Sequence, residues 1–219
     1  LSGIRKAMAA GMKQAVQTAA LSQVNREIDV TAAQERRAQL GVSFNTLLMA
    51  VVARTLPEHP LLNAELVENQ ILIYETVNLG MAVAVPDGLI VVVIPHADRL
   101  TLAELDAALR DRAERARAGK LTMSDVEGGT FTVSNLGMYG IDGGFPIPRP
   151  PESAILLVGA AALKPAAHEG QIALRQIARF SVNFDHRFID GAAAARFLEG
   201  LHARLTSAAA LDALLASIA

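Results

Sequence analysis

Residues 176–205 read QIARFSVNFDHRFIDGAAAARFLEGLHARL, and three kinds of pattern meet within them. Gln176–Phe184 is an apolar run of the length and composition of a buried strand. Gly191–Leu205 is rich in Ala and Leu, with apolar residues returning at helical spacing. Between them, Asp185, His186, Arg187 and Asp190 crowd a short polar junction. Asp190 stands where a helix N-cap belongs, with a carboxylate that can accept a first-turn amide. A buried strand that feeds directly into a helix implies sheet and helices packed in layers.

The same reading extends in both directions. Ser2 can cap a first helix that carries Ile4, Met8, Met12 and Val16 at helical spacing. Leu21–Val30 alternates as a strand, and Thr31 is expected to cap a short helix after it. Ser43 precedes Phe44–Leu56, a helix apolar nearly all round and therefore buried, which Pro57 and Pro60 stop. Ile71–Tyr74, Asn78–Val85 and Leu89–Ile94 read as strands, the last two joined as a hairpin through Pro86-Asp87-Gly88. Thr101 opens the helix Leu102–Ala118. Leu102, Leu105 and Leu109 share one side of it, and Arg110, Arg112, Glu114, Arg115 and Arg117 form a solvated face. Thr130–Leu136 is another strand. Met138–Pro151, dense in Gly and Pro, is a long irregular loop of the kind that serves function or an interface. Ala154–Gly159 is a buried strand and Leu211–Ile218 a last short helix. Strands and helices mix without strict alternation. The expectation is an α+β fold, a mixed α/β sandwich with a mixed sheet flanked by helices, in one domain over residues 1–219.

Composition bounds the function classes. With 219 residues, 52% hydrophobic, the chain can build one sizeable core. Aromatics are only 4%, so that core is aliphatic. The net charge of −2 shows no basic excess for nucleic acid. There is no cysteine, which excludes disulfides, thiolate metal sites and a cysteine nucleophile, and which fits the cytoplasm. The longest apolar runs fall short of the ~18 residues a membrane span needs, and no signal peptide is visible. The first residues, Leu-Ser-Gly-Ile-Arg without Met, suggest a piece of something longer.

On residues alone, His186 is the histidine set among charges at a secondary-structure boundary. A histidine near a cap is, as a rule, a surface or satisfied core residue, and Asp190 can be a cap with no further duty. Spacing suggests a site without assigning one.

A resemblance assigns it. Asp185-His186-Arg187-Phe188-Ile189-Asp190-Gly191 is similar to the Asp-His-Arg-x-x-Asp-Gly signature of the acyltransferase components of 2-oxoacid dehydrogenase complexes. Chloramphenicol acetyltransferase carries a related His-x-x-x-Asp-Gly. Ser2–Ala9, Gly80–Val91, Gly129-Thr130-Phe131-Thr132-Val133-Ser134-Asn135-Leu136-Gly137, Met138–Asp142 and Pro150-Pro151-Glu152-Ser153-Ala154-Ile155-Leu156 resemble further stretches of that family, in order along the chain.

The resemblance implies transfer of an acyl group between a dihydrolipoyl thioester and coenzyme A. His186 would be the general base on the thiol and Ser134 the donor to the oxyanion. Asp190 would be a positioning residue paired with Arg5, and Gly191 part of the turn's support. It also implies a homotrimer, with His186 and Ser134 meeting from neighbouring subunits, and in many relatives a larger cage of trimers. Coenzyme A is then a substrate, the lipoyl group rides on a separate domain or chain, and no metal is expected. The dehydrogenase and dihydrolipoamide dehydrogenase components would engage regions outside this chain. No nucleic-acid or membrane partner is expected.

Two alternatives share these residues, namely a stand-alone coenzyme A-dependent acetyltransferase on a small acceptor and a purely structural core subunit. The sequence departs from the family at Gly143-Gly144-Phe145-Pro146-Ile147-Pro148-Arg149, at Val92 and over Thr18–Ser22. Those departures bear on acyl-group preference, channel lining and cage assembly.

Overall fold

The computed structural model describes residues 3–86 and 88–217, without the side chains of residues 3–5 and 7. Ser2 and Asp87 lie outside the described residues. In chain order the elements are α1 (Gly3–Thr18), β1 (Leu21–Asp29), α2 (Thr31–Gln39), α3 (Phe44–Thr55), β2 (Ala64–Val67), β3 (Gln70–Ile73), β4 (Leu79–Val85) and β5 (Gly88–Ile94). They continue with α4 (Leu102–Arg117), β6 (Phe131–Asn135), β7 (Ala154–Val158), β8 (Ala162–His168), β9 (Gln171–Asp185), α5 (Gly191–Leu205) and α6 (Ala208–Ala216). Among the described residues no single helix is long and apolar enough to cross a membrane.

One mixed sheet organises the chain, in the order β1-β9-β7-β6-β4-β5, with β8 pairing the first half of β9. β4–β6 and β6–β7 are parallel, and the remaining neighbours are antiparallel. β2 and β3 form a separate two-stranded ribbon. Alternation along the strands separates two faces. Phe131 and Val133, Ala154, Leu156 and Val158, and Phe180, Val182 and Phe184 all turn to one continuous core shared with the helices. Thr132, Ser134, Ser181 and Asn183 point to the opposite face, which is more polar.

The expected buried helix is α3. Ser43 Oγ accepts the Thr46 amide at 3.0 Å, and every residue from Thr46 to Thr55 is buried. Each fully buried Leu, Met or Val contributes about 1.5–3 kcal/mol relative to exposure, so α3 anchors the helical layer. Two short 3₁₀ turns, Leu56–Glu58 and Pro60–Asn63, carry Pro57 and Pro60 where the α-helix stops.

Three expectations need correction. Val30, not Thr31, occupies the N-cap of α2, because Thr31 is already helical and its hydroxyl bonds Asp29 Oδ1 at 2.6 Å. In α1, which forms as expected, Met8, Met12 and Val16 stand outside the core. Val16 is 56% exposed, and Met8 and Met12 line a cavity on the polar side of the sheet. The Gln176–Phe184 strand extends back to Gln171, and β2 and β8 add two strands. Finally, the basic face of α4 is not simply solvated. Arg112 Nε lies 3.0 Å from Asp125 Oδ1, Arg115 pairs with the same carboxylate, and Thr122 donates to it from its amide at 2.7 Å and its hydroxyl at 2.8 Å.

Those Thr122 hydrogen bonds, together with the two arginines, overcome burial and hold the Asp125 carboxyl at about 2. Asp125 thereby ties the segment after α4 to that helix. Asp125→Asn is expected to lower stability at neutral pH by about 2 kcal/mol, since two guanidiniums then face a neutral group. The folded carboxyl titrates below the unfolded value of ~3.9. Its contribution is therefore complete above pH ~4 and lost as pH falls towards ~2. Melting curves of the two proteins should converge over that window. A gap that persists unchanged at pH ~2 would refute the role.

Candidate active site

The junction read from the sequence is a tightly fixed turn. Phe184 is buried in the core as the last inward residue of β9, and Asp185 closes the strand with its amide on Ser153 O at 2.9 Å. The Asp185 carboxylate then organises the turn after the strand. Oδ1 accepts the amides of Arg187 at 3.1 Å and Ala20 at 3.2 Å, and Arg187 grips both oxygens with Nε at 2.9–3.0 Å and Nη2 at 2.6 Å. Burial alone would raise this carboxyl. The bonds from Arg187 and the amides outweigh burial and hold it below the usual carboxylate range. The Ile189 amide returns to Asp185 O at 3.1 Å, and the His186 amide bonds Ala20 O at 2.8 Å.

His186 therefore sits on a loop whose backbone is bonded on both sides, with its imidazole exposed. The ring lies 5.5 Å from that of Phe184, tilted by 46°. Asp190 caps α5 as expected, accepting the Ala193 amide at 2.7 Å. The proposed pairing partner Arg5 has its side chain outside the described residues. Gly191 opens α5, but a Cβ there would meet nothing within 4 Å, so packing within the chain does not explain the glycine.

Ser134 is elsewhere. It lies near the end of β6, 8% exposed, on the polar face of the sheet, where it borders a cavity of about 860 Å³. Among the described residues its hydroxyl makes no hydrogen bond, so it is not a serine satisfying local backbone. Ser134 is level with Leu157, and Leu157 with Ser181, five residues before His186. Strand spacings make that ~16 Å along the sheet and ~10 Å across it, roughly 19 Å in all. Within one chain, the structure brings together His186, Asp190 and Gly191 and leaves Ser134 apart.

Comparison with known proteins identifies what this architecture belongs to. Residues 1–212 match the family model of the 2-oxoacid dehydrogenases acyltransferase (catalytic domain). The chain belongs to that family. Among relatives of this acyltransferase domain, the acetyltransferase component of the acetoin cleaving system of Bacillus subtilis is 34% identical over 96% of this chain and 56% of its own length. The succinyltransferase component of the 2-oxoglutarate dehydrogenase complex of Bartonella vinsonii is 34% identical over 90% of the chain and 51% of its own length. The chain thus spans about half the length of these curated relatives. Among solved structures, the cubic core of a pyruvate dehydrogenase multienzyme complex aligns with TM-score 0.90 at 32% identity, over 95% of this chain and 90% of that one. Azotobacter vinelandii dihydrolipoamide acetyltransferase aligns with TM-score 0.89, also at 32%, over 94% and 89%. That enzyme was studied for catalytic roles of a serine, a histidine and an asparagine four positions after the histidine. Chloramphenicol acetyltransferase, with TM-score 0.61 at 16% identity, shares the fold over 94% of this chain and 96% of its own. The mixed sheet flanked by helices expected from the sequence is the architecture of this acyltransferase domain.

Two functional elements were not assigned from sequence. The Asp185–Arg187 clamp lay within the quoted motif, and its signal was an acid and a base flanking His186 two positions apart. The other joins the buried Thr132 and Glu152 to the half-buried Arg149 beside the cavity, a cluster that only the fold assembles.

Proposed function

We propose that this chain transfers an acyl group between a dihydrolipoyl thioester and coenzyme A. The reading rests on one observation above all, the exposed His186 imidazole presented on a turn fixed through Asp185. A thiol with reference pKa ~8.5 is a weak nucleophile at neutral pH, and an imidazole is a base in that range. His186 removes the proton from the attacking thiol. The resulting thiolate sulfur bonds to the thioester carbonyl carbon, whose π electrons move to oxygen. Ser134 donates a hydrogen bond to that oxyanion. The tetrahedral intermediate collapses, the original carbon–sulfur bond breaks, and the departing thiolate takes the proton back from His186.

The separation of roughly 19 Å between His186 and Ser134 in one chain supports a site completed between subunits, with His186 of one copy facing Ser134 of the next. A homotrimer satisfies this by rotation, because a head-to-tail interface closes into a ring. Assembly of trimers into a larger core follows the pyruvate dehydrogenase relative, and the lipoyl group would arrive on a separate domain or chain. Asp190, as the cap of α5, fixes where the His186 turn joins the helix. The unbonded hydroxyl of Ser134 disfavours a purely structural subunit, which has no use for one.

The deciding measurement is acyl transfer from acetyl-CoA to free dihydrolipoamide, followed by thioester formation. Saturable transfer is the expected result. No transfer to the dithiol, with transfer to a small hydroxyl or amine acceptor, would overturn the reading.

A further inference from the structure

The cavity that Ser134 borders is apolar over most of its wall, through residues such as Ile90, Val91, Val126, Ile147 and Ile155. Among the described residues lining it, Arg149 is the one charged side chain. Its guanidinium is already engaged. Nη1 donates to Val126 O at 2.7 Å, and Nη2 donates to Glu152 Oε1 at 3.2 Å. The Glu152 side chain is wholly withdrawn from solvent, and its second oxygen accepts the Thr132 hydroxyl at 2.6 Å. Burial raises the Glu152 carboxyl above the usual carboxylate range, against the opposing pull of Thr132 and of Arg149, its nearest cation. Gly129 makes room for the pair, since a Cβ there would stand 2.8 Å from both Arg149 Nη2 and Glu152 Oε1. Thr132 and Ser134 share one face of β6, ~7 Å apart. The ion pair therefore lies about one short acyl chain from the hydroxyl that would receive the oxyanion.

Resting on the function proposed above, we propose that the acyl group taken here is uncharged and aliphatic, and that Glu152 determines this by cancelling the charge of Arg149. A terminal carboxylate on the acyl group would approach a guanidinium that already has its counter-ion, with the Glu152 carboxylate behind the cavity wall to repel it. The aliphatic walls offer no hydrogen bonds to replace the water it loses. A hydrocarbon chain faces neither cost and gains burial.

The test compares kcat/KM for acetyl-CoA, isobutyryl-CoA and succinyl-CoA on the intact oligomer, with dihydrolipoamide as acceptor. Both uncharged donors should exceed succinyl-CoA by at least ~30-fold, about 2 kcal/mol, and a smaller or reversed ratio overturns the inference. Glu152→Gln keeps an oxygen for Thr132 but removes the charge, leaving Arg149 uncompensated. In the folded variant the gap should narrow by about tenfold, and adding Arg149→Met should widen it again. An unchanged gap in folded Glu152→Gln also overturns the inference. If the variants fail to fold, the ratio for the unmodified protein still decides. Absence of transfer from all three donors would bring down the acyltransferase reading and this inference with it. Efficient transfer with a preference for succinyl-CoA would bring down this inference alone.

Discussion

His186→Ala is expected to lower acyl transfer by on the order of 10³-fold, the usual worth of a well-placed general base, with assembly and melting behaviour unchanged. The second half of that expectation is what makes the first informative. The imidazole is exposed and makes no hydrogen bond among the described residues. The turn that carries it is held by the Asp185 carboxylate, the Arg187 fork and the Ala20 backbone, none of which needs the imidazole. Removing the ring forfeits its tilted contact with Phe184 and little else. Transfer rates, size-exclusion elution and circular dichroism measured on the same preparation would separate chemistry from folding. A variant that retains near-normal turnover would end the assignment of His186 as the base. A comparable loss from a substitution at Asp185 would not mean the same thing. That carboxylate is buried among five bonds, and its removal would loosen the loop and the end of β9 together.

The parts of this molecule that were legible in its sequence are those where local chemistry and tertiary placement agree. Ser43 ahead of a segment that is apolar nearly all round reads as a capped, buried helix, and α3 is one. The β4–β5 hairpin followed from two β-branched runs around Pro86-Asp87-Gly88, and its register closes with Val85 opposite Gly88. β8 was invisible for a physical reason. ALKPAAH contains a proline and little β-branching, and the strand has a single neighbour, so it needs neither a buried face nor a full ladder. Its turn carried the missing signal, since Glu169-Gly170, both at positive φ, form the two-residue link that joins β8 to β9. Of the β2–β3 ribbon only β3 was read, as Ile71–Tyr74, while β2 escaped because its four residues, Ala64–Val67, are too short to show a period. At the site, the His186 turn could be read because its residues are contiguous. The Thr132–Glu152–Arg149 cluster could not, because distant stretches of sequence must fold before those side chains meet. Thr31 shows the opposite error. A good capping residue stood at the right place, but Asp29, two positions earlier, recruited its amide and hydroxyl instead.

Ser134→Ala is expected to cost about 100-fold in kcat with little change in KM, the usual effect of losing one donor to an oxyanion that exists only in the transition state. The residue is small, and among the described residues its hydroxyl is unbonded, so no buried partner is stranded by the change. The larger consequence concerns where the site is built. Separately purified His186→Ala and Ser134→Ala proteins should both be nearly inactive. Co-expressed in equal amounts and assembled at random, they behave differently according to which subunits supply the two groups. If both came from one chain, every site would lack one of them, and the mixture would show only the residual rates of the parents. If His186 of one copy faces Ser134 of the next, a site is intact whenever a Ser134→Ala copy supplies the histidine and a His186→Ala copy supplies the serine. In a closed ring of randomly placed copies that is about one site in four. Recovery of about a quarter of the unmodified rate is therefore the expected result, and the roughly 19 Å between the two residues along the sheet leaves a single chain no way to produce it. A mixture no more active than its parents would show that the two residues do not act across a subunit boundary, and the transfer mechanism would then need a different oxyanion donor beside His186.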